Sequence, residues 1–201
     1  MAQFHRAAHL PSTSSRQRIG LFGGSFDPPH SGHMHVAETA LKRLNLDQVW
    51  WFPARGNPLK NAPGEFDARL AALQIMLESH RAMQVSDVEA HAGLTYTIDL
   101  VRLMHAHCPN AQLVWIMGSD SLENFHKWKD WQALAKLIPI AVIARAGSTQ
   151  ATRSSHFAQV FRKARLPRRA AKLLPGHDAP AWTYLNAPLN PASSTALRNK
   201  R

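Results

Sequence analysis

The chain has 201 residues, 45% of them hydrophobic, a single cysteine and a formal net charge of +11. This length and apolar content suit one domain with a proper core and exclude disorder as the default state. No apolar run approaches the ~20 residues of a membrane span, so no membrane partner is expected, and Cys108 alone cannot form an internal disulfide or a cysteine-built zinc site.

In chain order, residues 1–17 read as a flexible N-terminal extension: polar, arginine-bearing, free of acids, and without the apolar core of a secretory signal. One domain is expected from 18 to 201. Arg18–Gly23 predicts a short buried strand closed by a glycine pair. From His33 onward Val36, Ala37, Ala40, Leu41 and Leu44 recur at helical spacing. Val49–Phe52 is a second strand, stopped by Pro53. A loop over 54–65 leads to a helix near 67–79, and the alternation of Met83–Glu89 predicts a half-buried strand. Thr95 or Thr97 can cap a helix that ends before Pro109. Leu113–Met117 and Pro139–Ala144 are apolar strands, Trp182–Leu185 the last, and a short helix begins near Ser193.

Strands alternating with helices of ten or more residues predict an α/β fold, a Rossmann-like doubly wound parallel sheet with helices on both faces. In such sheets ligands bind beyond the carboxyl ends of the strands. Three polar, glycine-bearing segments fall there: Gly23–His33, Gly118–Asp120 and Arg145–Gly147.

The charge is uneven. No acid occurs between Asp130 and Asp178, while nine lysines and arginines do, and the run over 157–174 predicts a basic helix. A basic surface attracts polyphosphates, nucleotide or nucleic acid. Aromatic residues are not interleaved with these charges as a single-strand platform requires, so nucleic acid is not an expected partner.

The segment Gly23-Gly24-Ser25-Phe26-Asp27-Pro28-Pro29-His30-Ser31-Gly32-His33 is the most informative in the chain. The glycines allow a tight turn and a close ligand approach, and the prolines stiffen the loop. His33 falls in the first turn of the next helix, where free N–H groups and the dipole favour an anion. With His30 three residues earlier, both imidazoles can donate to one phosphate group, and can carry charge if protonated. The segment is neither a Walker A loop nor a dinucleotide fingerprint. His30, His33 and His35 resemble a metal cluster, but no nearby carboxylate or cysteine completes a familiar ligand set, and no protein metal site is expected. Ser25 lacks the elbow of a hydrolase nucleophile.

This segment resembles the signature of the nucleotidyltransferase superfamily, Gly-x-Phe-Asp-Pro-x-His-x-Gly-His. The superfamily's second signature, Ser-Ser-Thr-x-x-Arg, is matched at Ser193–Arg198. A finer resemblance, over nearly the whole chain after Arg18, is to the bacterial nicotinate-nucleotide adenylyltransferases. It rests on Asn57-Pro58-Leu59-Lys60, Thr95-Tyr96-Thr97, Gly118-Ser119-Asp120-Ser121-Leu122, Trp128, and Ala144-Arg145-Ala146-Gly147. Trp128 and Trp131 can also be read as core on one helix face, three residues apart.

The resemblance implies an adenylyltransferase using ATP and nicotinate mononucleotide, with Mg²⁺ bound with the ATP rather than by a dedicated protein site. It implies catalytic roles for His30, His33, Lys60 and Arg198. ATP binding is expected of Gly23, Gly24, Ser25, Phe26, His30, His33, Gly118, Asp120, Ser194, Thr195 and Arg198. Thr97, Trp128, Lys129 and Arg145 are expected to bind the second substrate. A monomer or small homo-oligomer of the cytoplasm is expected. Many relatives carry a further helical stretch beyond the second signature, whereas this chain stops at Arg201.

Overall fold

The computed structural model describes residues 10–14, 16–56, 64–145 and 155–187. Within them β1 (Arg18–Gly24), β2 (Gln48–Pro53), β3 (Met83–Val85), β4 (Gln112–Gly118), β5 (Ile140–Ile143) and β6 (Trp182–Leu185) form one sheet in the order β3-β2-β1-β4-β5-β6. Every neighbouring pair is parallel. This is the doubly wound arrangement expected from the alternation of strands and helices. The helices are α1 (Ser31–Arg43), α2 (Phe66–Leu77), α3 (Val88–His91), α4 (Thr97–His107), α5 (Ser119–Asn124), α6 (Trp131–Leu137) and α7 (His156–Val160).

Because both faces of a parallel sheet are covered, its central strands carry continuous apolar runs: Val49, Trp50, Trp51 and Phe52 are all fully buried. Alternate side chains divide them between two cores. Ile19, Leu21, Trp50 and Trp115 join Ile98, Leu122 and Phe157 on one face. Phe22, Trp51, Val114 and Ile116 join Val36, Ala40 and Leu73 on the other. Thus α1 and α2 cover one side, and α3 to α7 the opposite side. No helix among the described residues is long and apolar enough to cross a membrane.

Four local expectations are corrected. The strand at Met83 stops at Val85 rather than Glu89, because Ser86 and Asp87 turn the chain; the Ser86 hydroxyl accepts from Val88 N–H at 3.3 Å. Neither Thr95 nor Thr97 caps α4; its N-cap is Tyr96, with no side-chain cap bond. The basic run is not one helix. After α7 and a 3-10 turn at Arg162–Ala164, Arg165 is extended and bridges Trp182, and the residue preceding Pro167 is biased away from helix. A longer 3-10 segment, Arg168–Gly176, follows. Finally, Trp128 and Trp131 do not share a helix: Trp128 ends a 3-10 turn in extended conformation, and Asp130 is left-handed at φ 49° before α6 begins.

Part of the segment expected as a loose extension lies against the body. Leu10 packs on the core, and Arg16 N–H donates to Asn110 O at 3.0 Å. Residues 1–9 fall outside the described residues.

Candidate active site

The strand order reverses between β1 and β4: the chain leaves β1 toward α1 on one face and β4 toward α5 on the other. The crevice beyond their carboxyl ends is the switch point of the sheet. Gly23 lines it from β1, and a Cβ there would stand 2.5 Å from the Trp115 ring of β4, so only glycine lets the strand end pass so closely.

His30 caps α1. Its Nδ1 accepts from Gly32 N–H at 3.0 Å, which assigns the ring proton to Nε2. Nε2 is buried and has no partner among the described residues. At the switch point such a donor is free to meet an acceptor brought by a ligand. Burial, aided by the Arg145 charge and opposed by Asp120, holds the His30 pKa down to about 4. In the free protein His30 is therefore a neutral donor near neutral pH, without the positive charge that its residue type allowed.

His33 stands beside it, the two ring centroids 3.8 Å apart and inclined at 34°. The Phe26 ring meets it edge-on at 5.0 Å. Phe26 is left-handed at φ 47°, an unusual conformation for an aromatic residue and one that needs support from its surroundings. The first turn of α1 contains no acid, while Lys42 and Arg43 close the last turn, so the N-terminus offers its dipole to an anion. His35 does not complete a metal cluster: among the described residues, no three His, Cys, Asp or Glu side chains gather to hold an ion.

The opposite wall comes from β4 and β5. Ser119 is fully buried, and its hydroxyl accepts from Arg145 N–H at 2.9 Å, joining the two strand ends. The Arg145 guanidinium donates to Asp120 at 2.8 Å. Gly118–Asp120 and Arg145 thus meet at the ends of β4 and β5, next to the end of β1 from which the Gly23–His33 turn departs.

A second region lies on the α4 side of the sheet. Trp128 is half-buried against Phe125 at 5.1 Å and Trp115 at 6.3 Å, so one aromatic bed underlies it. Thr97 opens α4 without a capping side chain, which leaves amide donors at that end. Lys129 is exposed. Lys60, Ser194, Thr195 and Arg198, together with Ala146 and Gly147, lie outside the described residues.

Motif reading missed Arg69. This α2 residue is 3% exposed and donates to three backbone carbonyls, those of Ser25, Ala54 and Gly64. Arg69 stands at i, i+4, i+8 with Leu73 and Leu77, so helical spacing already sets it on the buried face; only its carbonyl partners come from the fold. Glu89 was also missed; it is buried in α3, and burial pushes its pKa up to about 8.

The cytidylyltransferase-like family matches residues 21–200. A relative named "Probable nicotinate-nucleotide adenylyltransferase" from Roseobacter denitrificans is 43% identical over 95% of this chain and 96% of its own length. One of the same name from Caulobacter sp. (strain K31) is 46% identical over 92% and 98%. In fold, the Plasmodium falciparum nicotinic acid mononucleotide adenylyltransferase, solved complexed with NaAD, matches with a TM-score of 0.69 at 20% identity. It covers 92% of this chain and 83% of that one.

Proposed function

We infer the reaction from kinship and geometry together: the chain belongs to the cytidylyltransferase-like family and, within it, to the nicotinate-nucleotide adenylyltransferases. It joins ATP and nicotinate mononucleotide into nicotinate adenine dinucleotide, releasing pyrophosphate. A phosphate oxygen of the mononucleotide attacks the α-phosphorus of ATP, a new P–O bond forms, and the bond to the leaving pyrophosphate breaks. The nucleophile is already anionic, so the protein needs no nucleophile of its own; its work is positioning and charge stabilisation.

The observation that carries this reading is the imidazole pair at the start of α1, with the orphan His30 Nε2–H held at the switch point. His30 donates to the triphosphate as a neutral group. His33, in the first turn of the helix, faces the charge that grows at the reacting phosphorus. Asp120 accepts from a ribose hydroxyl, and Arg145 fixes that carboxylate. Thr97 offers amide N–H groups to the nicotinate carboxylate, and Trp128 stacks on its ring. Lys60 and Arg198 neutralise phosphates, and Ser194 and Thr195 add donors.

The carboxylates at this crevice are engaged, Asp120 by Arg145 and Asp27 by Gly64 N–H at 3.1 Å. That donor set fits a Mg²⁺ that arrives on the polyphosphate and keeps mainly phosphate and water ligands. When bound with ATP it would neutralise phosphate charge. Pyrophosphate release from ATP, with nicotinate mononucleotide, nicotinamide mononucleotide and pantetheine phosphate offered in parallel, tests the assignment. The nicotinate compound is expected to be the best acceptor; a clear preference for pantetheine phosphate would refute it.

A further inference from the structure

We propose that Arg69 is a positioning residue for the phosphate-binding turn, acting on His33 through the Ser25–Phe26 peptide; this rests on the adenylyltransferase reading above. The guanidinium reaches the turn from α2, and its hydrogen bonds among the described residues all go to backbone carbonyls. Nη1 donates to Ser25 O at 2.6 Å and to Ala54 O at 2.9 Å, and Nε donates to Gly64 O at 2.8 Å. One rigid fork therefore joins the turn after β1 to both ends of the connection between β2 and α2. Asp27 reinforces the same junction by accepting from Gly64 N–H, and Ala54 N–H donates to Gly24 O at 2.9 Å.

What the fork holds is specific. Ser25 O belongs to the peptide immediately before Phe26, the residue that sits in the left-handed region. Anchoring that carbonyl fixes the peptide plane and so removes the easiest route by which Phe26 could relax. The Phe26 ring in turn packs edge-on against His33, and edge-on against Phe22 at 5.3 Å. The sequence of contacts runs from Arg69 to the 25–26 peptide, to the Phe26 ring, to the imidazole nearest the reacting charge.

The residue type supports a positioning role over a purely stabilising one. Burial disfavours the Arg69 charge, and the Asp27 carboxylate only partly offsets this. Buried charged groups are often replaced by apolar residues of similar size without loss of stability. Lysine cannot substitute, because one ammonium on a flexible stem does not present three donors in a fixed fork.

The test compares wild type, Arg69→Lys and Arg69→Met for kcat, both KM values, thermal unfolding and the NMR shift of the His33 Cε1 proton. Loss of the fork is expected to lower kcat by about 100-fold in both variants, the cost of misplacing a group by roughly 1 Å. The KM for nicotinate mononucleotide should stay within about threefold, since its pocket lies across the sheet, a difference well below the tenfold step that corresponds to 1.4 kcal/mol. The His33 resonance should move as the Phe26 ring current is lost. Wild-type kcat in a folded Arg69→Lys overturns the proposal, as does an unmoved His33 resonance; if Arg69→Met fails to fold, Arg69→Lys alone decides. Absence of turnover in the wild type would instead overturn the adenylyltransferase reading, while the His33 resonance would still report on the fork.

Discussion

Replacing His30 by asparagine separates its two duties. The Asn amide oxygen can take the place of Nδ1 and keep the cap on Gly32 N–H, but the side chain no longer titrates and loses the Nε2 donor. The folded-state pKa, about 4, lies below the ordinary 6.5. Above the ordinary value both folded and unfolded chains are neutral and the contribution to stability is fully present. As the pH falls from the ordinary value toward the folded value, the unfolded chain gains a proton that the folded chain refuses, and stability is lost. Each tenfold difference in proton affinity between the two states corresponds to about 1.4 kcal/mol, so between about pH 7.5 and about pH 5 the wild type should lose roughly 2 kcal/mol relative to His30→Asn. Urea denaturation of both proteins at the two pH values measures the difference, and other titrating groups cancel in it. A stability difference that does not change with pH would refute the burial argument. Turnover of the variant should also fall by about 100-fold or more, in the range expected for losing one preorganised donor.

Glu89→Gln should show the opposite trend. With the Glu89 pKa raised to about 8 by burial, wild-type stability falls as pH rises from the ordinary carboxylate range through that value. The glutamine variant should therefore gain in urea midpoint near neutral pH and lose the gain in acid; a pH-independent difference would count against it. Gly118→Ala places a Cβ against Asp120 Oδ1 and 2.6 Å from Arg145 Cδ, while its extended backbone at φ −72° accepts alanine without strain. The side chains must separate, so thermal stability should change by at most about 1 kcal/mol, as for a half-exposed ion pair. Its KM for ATP should rise about tenfold, the step equivalent to 1.4 kcal/mol; an unchanged KM would dissociate the pair from ATP binding. Trp128→Ala should raise the KM for the mononucleotide by about tenfold, in line with the 0.5–1.5 kcal/mol of an aromatic pair. An equal effect on ATP would speak against stacking.

Much of this was legible in the chain because the responsible signals are local. Strand runs such as Val49–Phe52 declare themselves by being apolar on both faces, and Gly23–His33 combines turn chemistry with a helix start in one stretch. Convergence of Gly118–Asp120 and Arg145 on that turn followed from topology, since strand ends of one parallel sheet meet at the switch point. Features that depend on what the chain meets later were not legible. Pro167 is a local signal against helix at Leu166, but the strand partner the chain takes up there is not local: Leu166 N–H donates to Trp182 O at 2.8 Å. The neutrality of His30 depends on burial, and the partners of Arg69 are carbonyls contributed from three separate segments, although its inward face follows from its spacing with Leu73 and Leu77.

Adenylyl transfer onto nicotinate mononucleotide at the His30–His33 turn can be followed with ATP labelled at the α-phosphorus, in the presence of Mg²⁺ and the mononucleotide, using wild type and His33→Ala. The wild type is expected to move the label into nicotinate adenine dinucleotide with one pyrophosphate released per dinucleotide, and folded His33→Ala to lose the rate by about 100-fold or more. Label remaining in ATP or appearing as free AMP in the wild type would contradict the reaction, and a His33→Ala rate close to wild type would contradict its placement at this turn.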